Sequence, residues 1–205
     1  MPQNKPLSLP FSQACERNKD IIFDTIKGYL DAATEVLEIG SGTAQHALHF
    51  AQNCPHLSWQ TSDQSFYLEG IRAQLSNNNI VNILAPLELD VNQAVWVSDS
   101  TVYDLVYTAN TLHIMRWDDV QAFFAGLRQV TKSGSLLVVY GPFKYAGEFT
   151  SNSNAGFDQS LRAAGQGSAI RDFEAVSQLA VANGFSLQMD VSMPANNQCL
   201  VWQQG

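Results

Sequence analysis

The chain has 205 residues, 45% of them apolar and only 15% charged, which excludes a disordered polymer and provides side chains for one full hydrophobic core. Its net charge of -8, with no run of lysine or arginine, excludes a nucleic-acid partner, whose phosphates require clustered cations. Cys15, Cys54 and Cys199 are widely spaced and form no C-x-x-C pair, so they read as structural thiols and not as a zinc or redox site.

The first ten residues are polar and proline-rich and lack the basic flank and apolar run of a signal peptide. No stretch reaches the length of a membrane span, so a soluble, cytoplasmic protein with no membrane partner is expected. Residues 11–30 predict an amphipathic helix with Ala14, Ile21, Ile22, Ile26 and Leu30 on its apolar stripe and Ser12 as N-cap. Residues 1–30 would then form a helical cap. The polar cluster in its first turns is open to two readings: a solvated face, or Arg17 and Asn18 reaching a ligand across the mouth of a sheet.

At residues 36–48 an apolar strand runs into Gly40, Ser41 and Gly42 and then into a helix over 43–53. Closely spaced glycines at such a junction let the backbone approach a ligand, with the first helical N–H groups aimed at it. The spacing is G-x-G-x-x-Q, so the third glycine of a dinucleotide fingerprint is absent. A short strand at 57–62 ends in Asp63, 21 residues beyond Gly42, where an acid can accept both ribose hydroxyls.

A helix over 66–77 follows. In the apolar stretch 80–89, Pro86 suggests that only the last residues pair as a third strand, which leaves Asp90 at its end to accept from an exocyclic amine. Residues 103–110 read as an interior strand ending in Asn110, and His113 lies three residues further on. A helix over 118–130 and a strand over 135–140 come next, stopped by Gly141 and Pro142.

Residues 141–172 mix glycine, asparagine and serine with aromatic side chains and read as a lid or substrate loop holding a short helix near 157–163. A helix from 171 to 183 and two strands, 185–189 and 198–203, close the chain. This β-α alternation predicts an α/β fold with a doubly wound parallel sheet, in one domain over 1–205. Its ligand site belongs at the carboxyl ends of the first and fourth strands.

Taken together, residues 36–42, Asp63, Leu89 with Asp90, and residues 107–113 resemble the motifs of class I S-adenosylmethionine (SAM)-dependent methyltransferases. Residues 16–20, 140–143, 149–154 and 170–173 resemble, more narrowly, a small uncharacterised methyltransferase-like family of bacteria and animals. The resemblance implies a Rossmann-like, mostly parallel seven-stranded sheet with an antiparallel C-terminal strand, and SAM as cofactor. It further implies Glu38, Gly40 and Gly42, with Ser41 between them, as the floor under the methionine part of the cofactor. Asp63 would take the ribose and Asp90 the adenine amine, while Asn110 would lie beside the sulfonium and the acceptor.

The residues suit that assignment. The cofactor carries a sulfonium and an ammonium but no phosphate, so a cradle containing Glu38 attracts it, whereas a pyrophosphate would be repelled. His113 is placed to act as a general base where the acceptor arrives protonated; its alternative is a structural hydrogen bond in the loop. Tyr140, Phe143, Tyr145, Phe149 and Phe157 are candidate walls of an acceptor pocket, with Asn152, Asn154 and Arg171 as candidate polar contacts. His46 and His49 have no third ligand in evidence, so no metal is expected.

The fourth-strand end, Asn110-Thr111-Leu112-His113, is unlike the N/D-P-P-Y/F stretch of methyltransferases that act on base or glutamine amines. A small-molecule acceptor is therefore expected, with a monomer or homodimer as the assembly. The alternatives are a catalytically inactive binding or regulatory protein on the same fold and, less favoured, an NAD-dependent reductase.

Overall fold

In a computed structural model, residues 9–97 and 100–205 are described; the reading of residues 1–8 as a polar N-terminal stretch lies outside them. Helix α1 (Gln13–Ala32) starts where the Ser12 hydroxyl accepts from the Cys15 N–H, and its buried stripe is Ile22, Ile26 and Leu30. Strands and helices then alternate as β1 (Glu35–Ile39), α2 (Gln45–Asn53), β2 (Ser58–Asp63), α3 (Ser65–Ser76), β3 (Ile83–Glu88), β4 (Tyr103–Ala109), α4 (Trp117–Leu127) and β5 (Thr131–Gly141). After β5 come β6 (Phe143–Tyr145), β7 (Glu148–Phe149), α5 (Asn152–Ala163), β8 (Arg171–Asp172), α6 (Phe173–Ala182), β9 (Phe185–Met193) and β10 (Asn197–Gln204).

Seven strands make one sheet in the order β3-β2-β1-β4-β5-β10-β9, parallel from β3 to β5, with β10 antiparallel to both of its neighbours. This is the Rossmann-like methyltransferase fold. The chain walks outward from β1 to β3 and returns on the other side of β1 as β4, so the strand order reverses there and a crevice opens above the two carboxyl ends.

Side chains that alternate along each strand feed two cores. Val36, Leu105, Tyr107, Val138 and Val201 pack under α1, α2 and α3. Their neighbours Leu37, Val106, Val139, Leu200 and Trp202 pack under α4 and α6. Among the described residues no helix is long and apolar enough to cross a membrane.

Several boundaries differ from those read in the sequence. Strand β3 begins three residues before Pro86 and keeps it: the pairing skips from Leu84 to Leu87, and this irregularity on an edge strand removes the need for a proline N–H. Strand β5 extends back to Thr131 through an irregularity in which the Ser135 hydroxyl accepts from the Lys132 N–H and donates to the Tyr103 carbonyl. Helix α5 starts at Asn152 because Ser151 caps it, five residues before the expected start.

Candidate functional site

A cleft of about 740 Å³ lies over the carboxyl ends of β1, β2 and β4. Its floor is the turn Gly40-Ser41-Gly42. Gly40 has φ +77°, and a Cβ there would run into Thr111 Cγ2, so only glycine lets the β4 end lie this close; Gly42 has φ +53° and open space above it.

Beneath the turn lies Glu38, 2% exposed, whose Oε2 accepts from the Ser41 hydroxyl (3.0 Å) and from Trp59 Nε1 (3.2 Å). Burial raises its pKa to about 7 against the pull of those two donors. Asp63, at the end of β2, accepts from the Gly42 N–H through Oδ2 and from the Gln64 N–H through Oδ1, both at 2.8 Å. Burial pushes its pKa up, and these two N–H groups oppose that.

The position of the missing third glycine is Gln45, and it has a task of its own. Its Oε1 accepts from the Ser12 N–H (2.6 Å) and the Thr43 hydroxyl (2.9 Å), and its Nε2 donates to Glu16 (3.1 Å). The start of α1 is thereby tied to the glycine turn, which brings Ser12 and Cys15 to the rim of the cleft.

Asn110 lines the cleft in the left-handed region at φ +58°, held by donation of its N–H to the Tyr140 carbonyl (2.8 Å). Asparagine tolerates that conformation better than other side chains do. The far wall consists of Ile114, Met115, Asn92 and Asp119, whose Oδ1 accepts from Asn92 Nδ2 (3.1 Å) and from Arg116 Nη2 (3.2 Å). Arg116 is thus paired, and no unpaired Lys or Arg side chain faces the cleft among the described residues.

Of the residues singled out in the sequence, Gly40, Ser41, Gly42, Asp63 and Asn110 meet in the cleft, with Glu38 directly below Ser41. Asp90 sits just outside the lining between Leu89 and Val91, its Oδ1 accepting from the Asn92 N–H (2.9 Å). Asn18 is buried against His46 and Arg17 is exposed; neither is part of the lining.

His113 is not brought to the cleft. It is 7% exposed, stands edge-on to the Phe157 ring and faces Gly141, and burial together with Arg171 lowers its pKa to about 4. Tyr140 and Phe143 are sealed into the two cores. Asn152 lies exposed at the start of α5, while Asn154 Nδ2 is spent on Thr150 Oγ1 and the Asn196 carbonyl.

Arg171 donates to the carbonyls of Leu112, Met115 and Gly167. Ser168 and the Ala169 N–H bond the Ile114 and His113 carbonyls from the same stretch, so the end of the 141–172 segment stitches down the loop after β4. Of that segment only Gln166 reaches the cleft.

A family model described as a protein of unknown function (DUF938) matches residues 9–204. The chain belongs to the DUF938 family. Among solved structures, the DUF938 fold is similar to an O-methyltransferase family protein from Burkholderia thailandensis, with TM-score 0.80 and 14% identity over 94% of this chain and 57% of that one. It is similar also to human N-acetylserotonin methyltransferase in complex with SAM, with TM-score 0.78 and 12% identity over 94% and 53%. A putative O-methyltransferase from Nostoc punctiforme gives TM-score 0.79 and 16% identity over 93% and 56%. The DUF938 chain thus spans little more than half the length of these proteins, and at such identity the likeness is one of fold.

Sequence reasoning missed His46 as a cleft residue of this DUF938 protein, as well as Tyr67, Met115 and Asp119. The G-x-x-Q-H spacing after Gly42 carried the signal for His46, since it places a histidine in the first turn of the helix that the glycine turn opens.

Proposed function

We propose that the protein is a SAM-dependent methyltransferase acting on a small-molecule acceptor. The observation that carries this reading is Asp63: its carboxylate is hydrogen-bonded to the glycine turn at the strand-order reversal and stands at the edge of an open cleft. A carboxylate offers about four acceptor positions, and two backbone N–H groups use only two, so the rest are left for a pair of vicinal hydroxyls.

The donor set fits the cofactor. A pyrophosphate over this turn would meet the Asp63 carboxylate and no free cation, whereas an ammonium and a sulfonium find that carboxylate favourable. Glu38 and Ser41 would hold the amino-acid end, Asp63 the ribose, and Asp90, whose Oδ1 already serves Asn92, the adenine amine from the rim. When bound, the cofactor supplies a methyl group activated by its sulfonium. The protein supplies the walls that orient an acceptor and exclude water around Asn110.

Calorimetry on the purified protein tests the cofactor: SAM and S-adenosylhomocysteine are expected to bind and NAD is not. Tight NAD binding without SAM binding overturns the reading in favour of a reductase. Incubation of cell extract with methyl-labelled SAM tests the acceptor class. Label is expected in the low-mass fraction, and label confined to protein or nucleic acid rejects a small-molecule acceptor.

A further inference from the structure

The cleft has one imidazole on its wall, and it is not the one in the loop after β4. His46 stands in the first turn of α2, 5% exposed, with that exposed edge on the cleft. Its Nε2 lies 2.8 Å from Asn18 Oδ1 across the α1–α2 contact. An amide oxygen only accepts, so this contact places the ring proton on Nε2 and leaves Nδ1 with a bare lone pair.

The amide presents its oxygen, not its nitrogen, to the ring. The ring is also held edge-on against Tyr107 and tilted against Phe50. Among the described residues no hydrogen bond is made to His46 Nδ1.

We propose, resting on the methyltransferase reading above, that His46 Nδ1 takes the proton from an uncharged, hydroxyl-bearing acceptor, and that Asn18 is the positioning residue that keeps this nitrogen free. In the balanced step the acceptor oxygen forms its bond to the methyl carbon as the carbon–sulfur bond breaks with its electron pair going to sulfur. The hydroxyl proton passes to Nδ1, giving an imidazolium that still donates from Nε2 to Asn18 Oδ1. The imidazolium then loses its proton to water in the open cleft.

Burial, with lesser contributions from His49 and Lys19, lowers the His46 pKa to about 4. That suits the role in two ways. The ring stays neutral at physiological pH, so its lone pair is available and no second cation opposes the sulfonium. A weak base also suffices, because an oxygen that has gained a methyl group while keeping its proton is a far stronger acid than an imidazolium. A carboxylate acceptor would need no base and would be repelled by Asp63, which is why the acceptor is assigned as a neutral hydroxyl.

The test begins with nitrogen NMR of histidine-labelled protein, alone and with SAM. The expected result is the Nε2–H tautomer of a neutral His46 at pH 7; the Nδ1–H tautomer or an imidazolium overturns the proposal without touching the cofactor reading. His46→Gln keeps a donor for Asn18 Oδ1 but removes Nδ1. Its SAM affinity by calorimetry is expected to stay within about threefold of wild type, while transfer of labelled methyl to the low-mass product of cell extract falls at least about 100-fold.

Unchanged transfer overturns the proposal, and so does lost SAM affinity, which would make His46 a cofactor residue instead. Asn18→Leu is expected to give a mixture of tautomers, and a single unchanged tautomer denies Asn18 its role. Failure of the wild type to bind SAM removes the methyltransferase reading and this one together, and is recognised as such because it shows before any variant is made.

Discussion

Two polar regions lie at the carboxyl ends of the strands, and they use their polar atoms in opposite ways. In the 141–172 segment the side chains bond to the protein itself: Arg171 to three carbonyls, Asn154 to Thr150 and Asn196, and Asp158 to the Ile170 N–H (2.7 Å) and Arg162 (2.6 Å). In the cradle, Asp63 keeps acceptor positions facing the cleft, and Gly42 and Asn110 hold left-handed backbone there. The contrast shows that a polar, aromatic-rich stretch after a strand does not by itself mark a site. What marks one is polar capacity that the chain has not used on itself.

The sharpest way to break this comparison is Arg171→Met. Three carbonyls of the loop after β4 and its surroundings lose a charged donor, and a loss of about 3 kcal/mol is expected. In thermal unfolding this is a drop on the order of 10 °C. A drop of a degree or two would mean that the stitching contributes little and that Arg171 is free for another task. The mirror-image experiment is Asp63→Ala, where the effect belongs in binding. SAM affinity is expected to fall about 100-fold, equivalent to about 3 kcal/mol, against a folding cost of about 1 kcal/mol. Equal SAM affinity in the variant and wild type would remove Asp63 from the site.

The same contrast explains what the sequence could and could not tell. The alternation of strands and helices, the glycine turn, the acid 21 residues later and the closing hairpin are local patterns, and each has its counterpart in the sheet order and in the Asp63 to Gly42 bond. On the acceptor side, Asn154 and Arg171 look available in the sequence and are bonded to the protein in the structure, because saturation is not local. Arg171 meets Leu112 across 59 residues, and Asn154 meets Asn196 across 42. Nothing in the string around Arg171 reports carbonyls that far away. His46 is hard to read for a related reason: its partner Asn18 lies 28 residues earlier, and a histidine on a helix gives no sign of the cleft until the helix is set against β4. Pro86 misled about β3 because edge position, which tolerates it, is a property of the whole sheet.

Acid stability compares the two regions through their buried titrating groups, His46 and Glu38 at the cradle and His113 at the segment. His46 above the cradle and His113 behind the segment have folded pKa values of about 4 against an ordinary 6.5. Depressed histidines contribute stability that is present above pH 6.5 and lost as pH falls towards 4. Glu38 acts the other way: raised to about 7 from 4.5, it takes up a proton more readily in the folded state, so its contribution grows as pH falls from 7 to 4.5. Summed, a net loss of about 2 kcal/mol is expected between pH 7 and pH 5, measured by urea unfolding. Glu38→Gln removes the compensating group and should deepen that loss to about 4 kcal/mol, while His113→Gln should make it shallower. A loss that Glu38→Gln leaves unchanged would show that the carboxyl under the glycine turn titrates normally.

The smallest effect sharpens the comparison most finely. Asn154 is a candidate acceptor contact in the sequence, yet its Nδ2 joins Thr150 Oγ1 at 3.0 Å and the Asn196 carbonyl at 2.9 Å, linking α5 to the turn before β10. Asn154→Ala therefore costs about 1 kcal/mol of stability, the net worth of buried hydrogen bonds between neutral groups. SAM affinity should stay at the wild-type value, because the residue lies outside the cleft lining. Turnover of the labelled low-mass product, corrected for the folded fraction, should stay unchanged too. A fall in turnover of tenfold or more with intact stability would place Asn154 among the acceptor's contacts and move part of the site into the segment that the rest of the structure spends on itself.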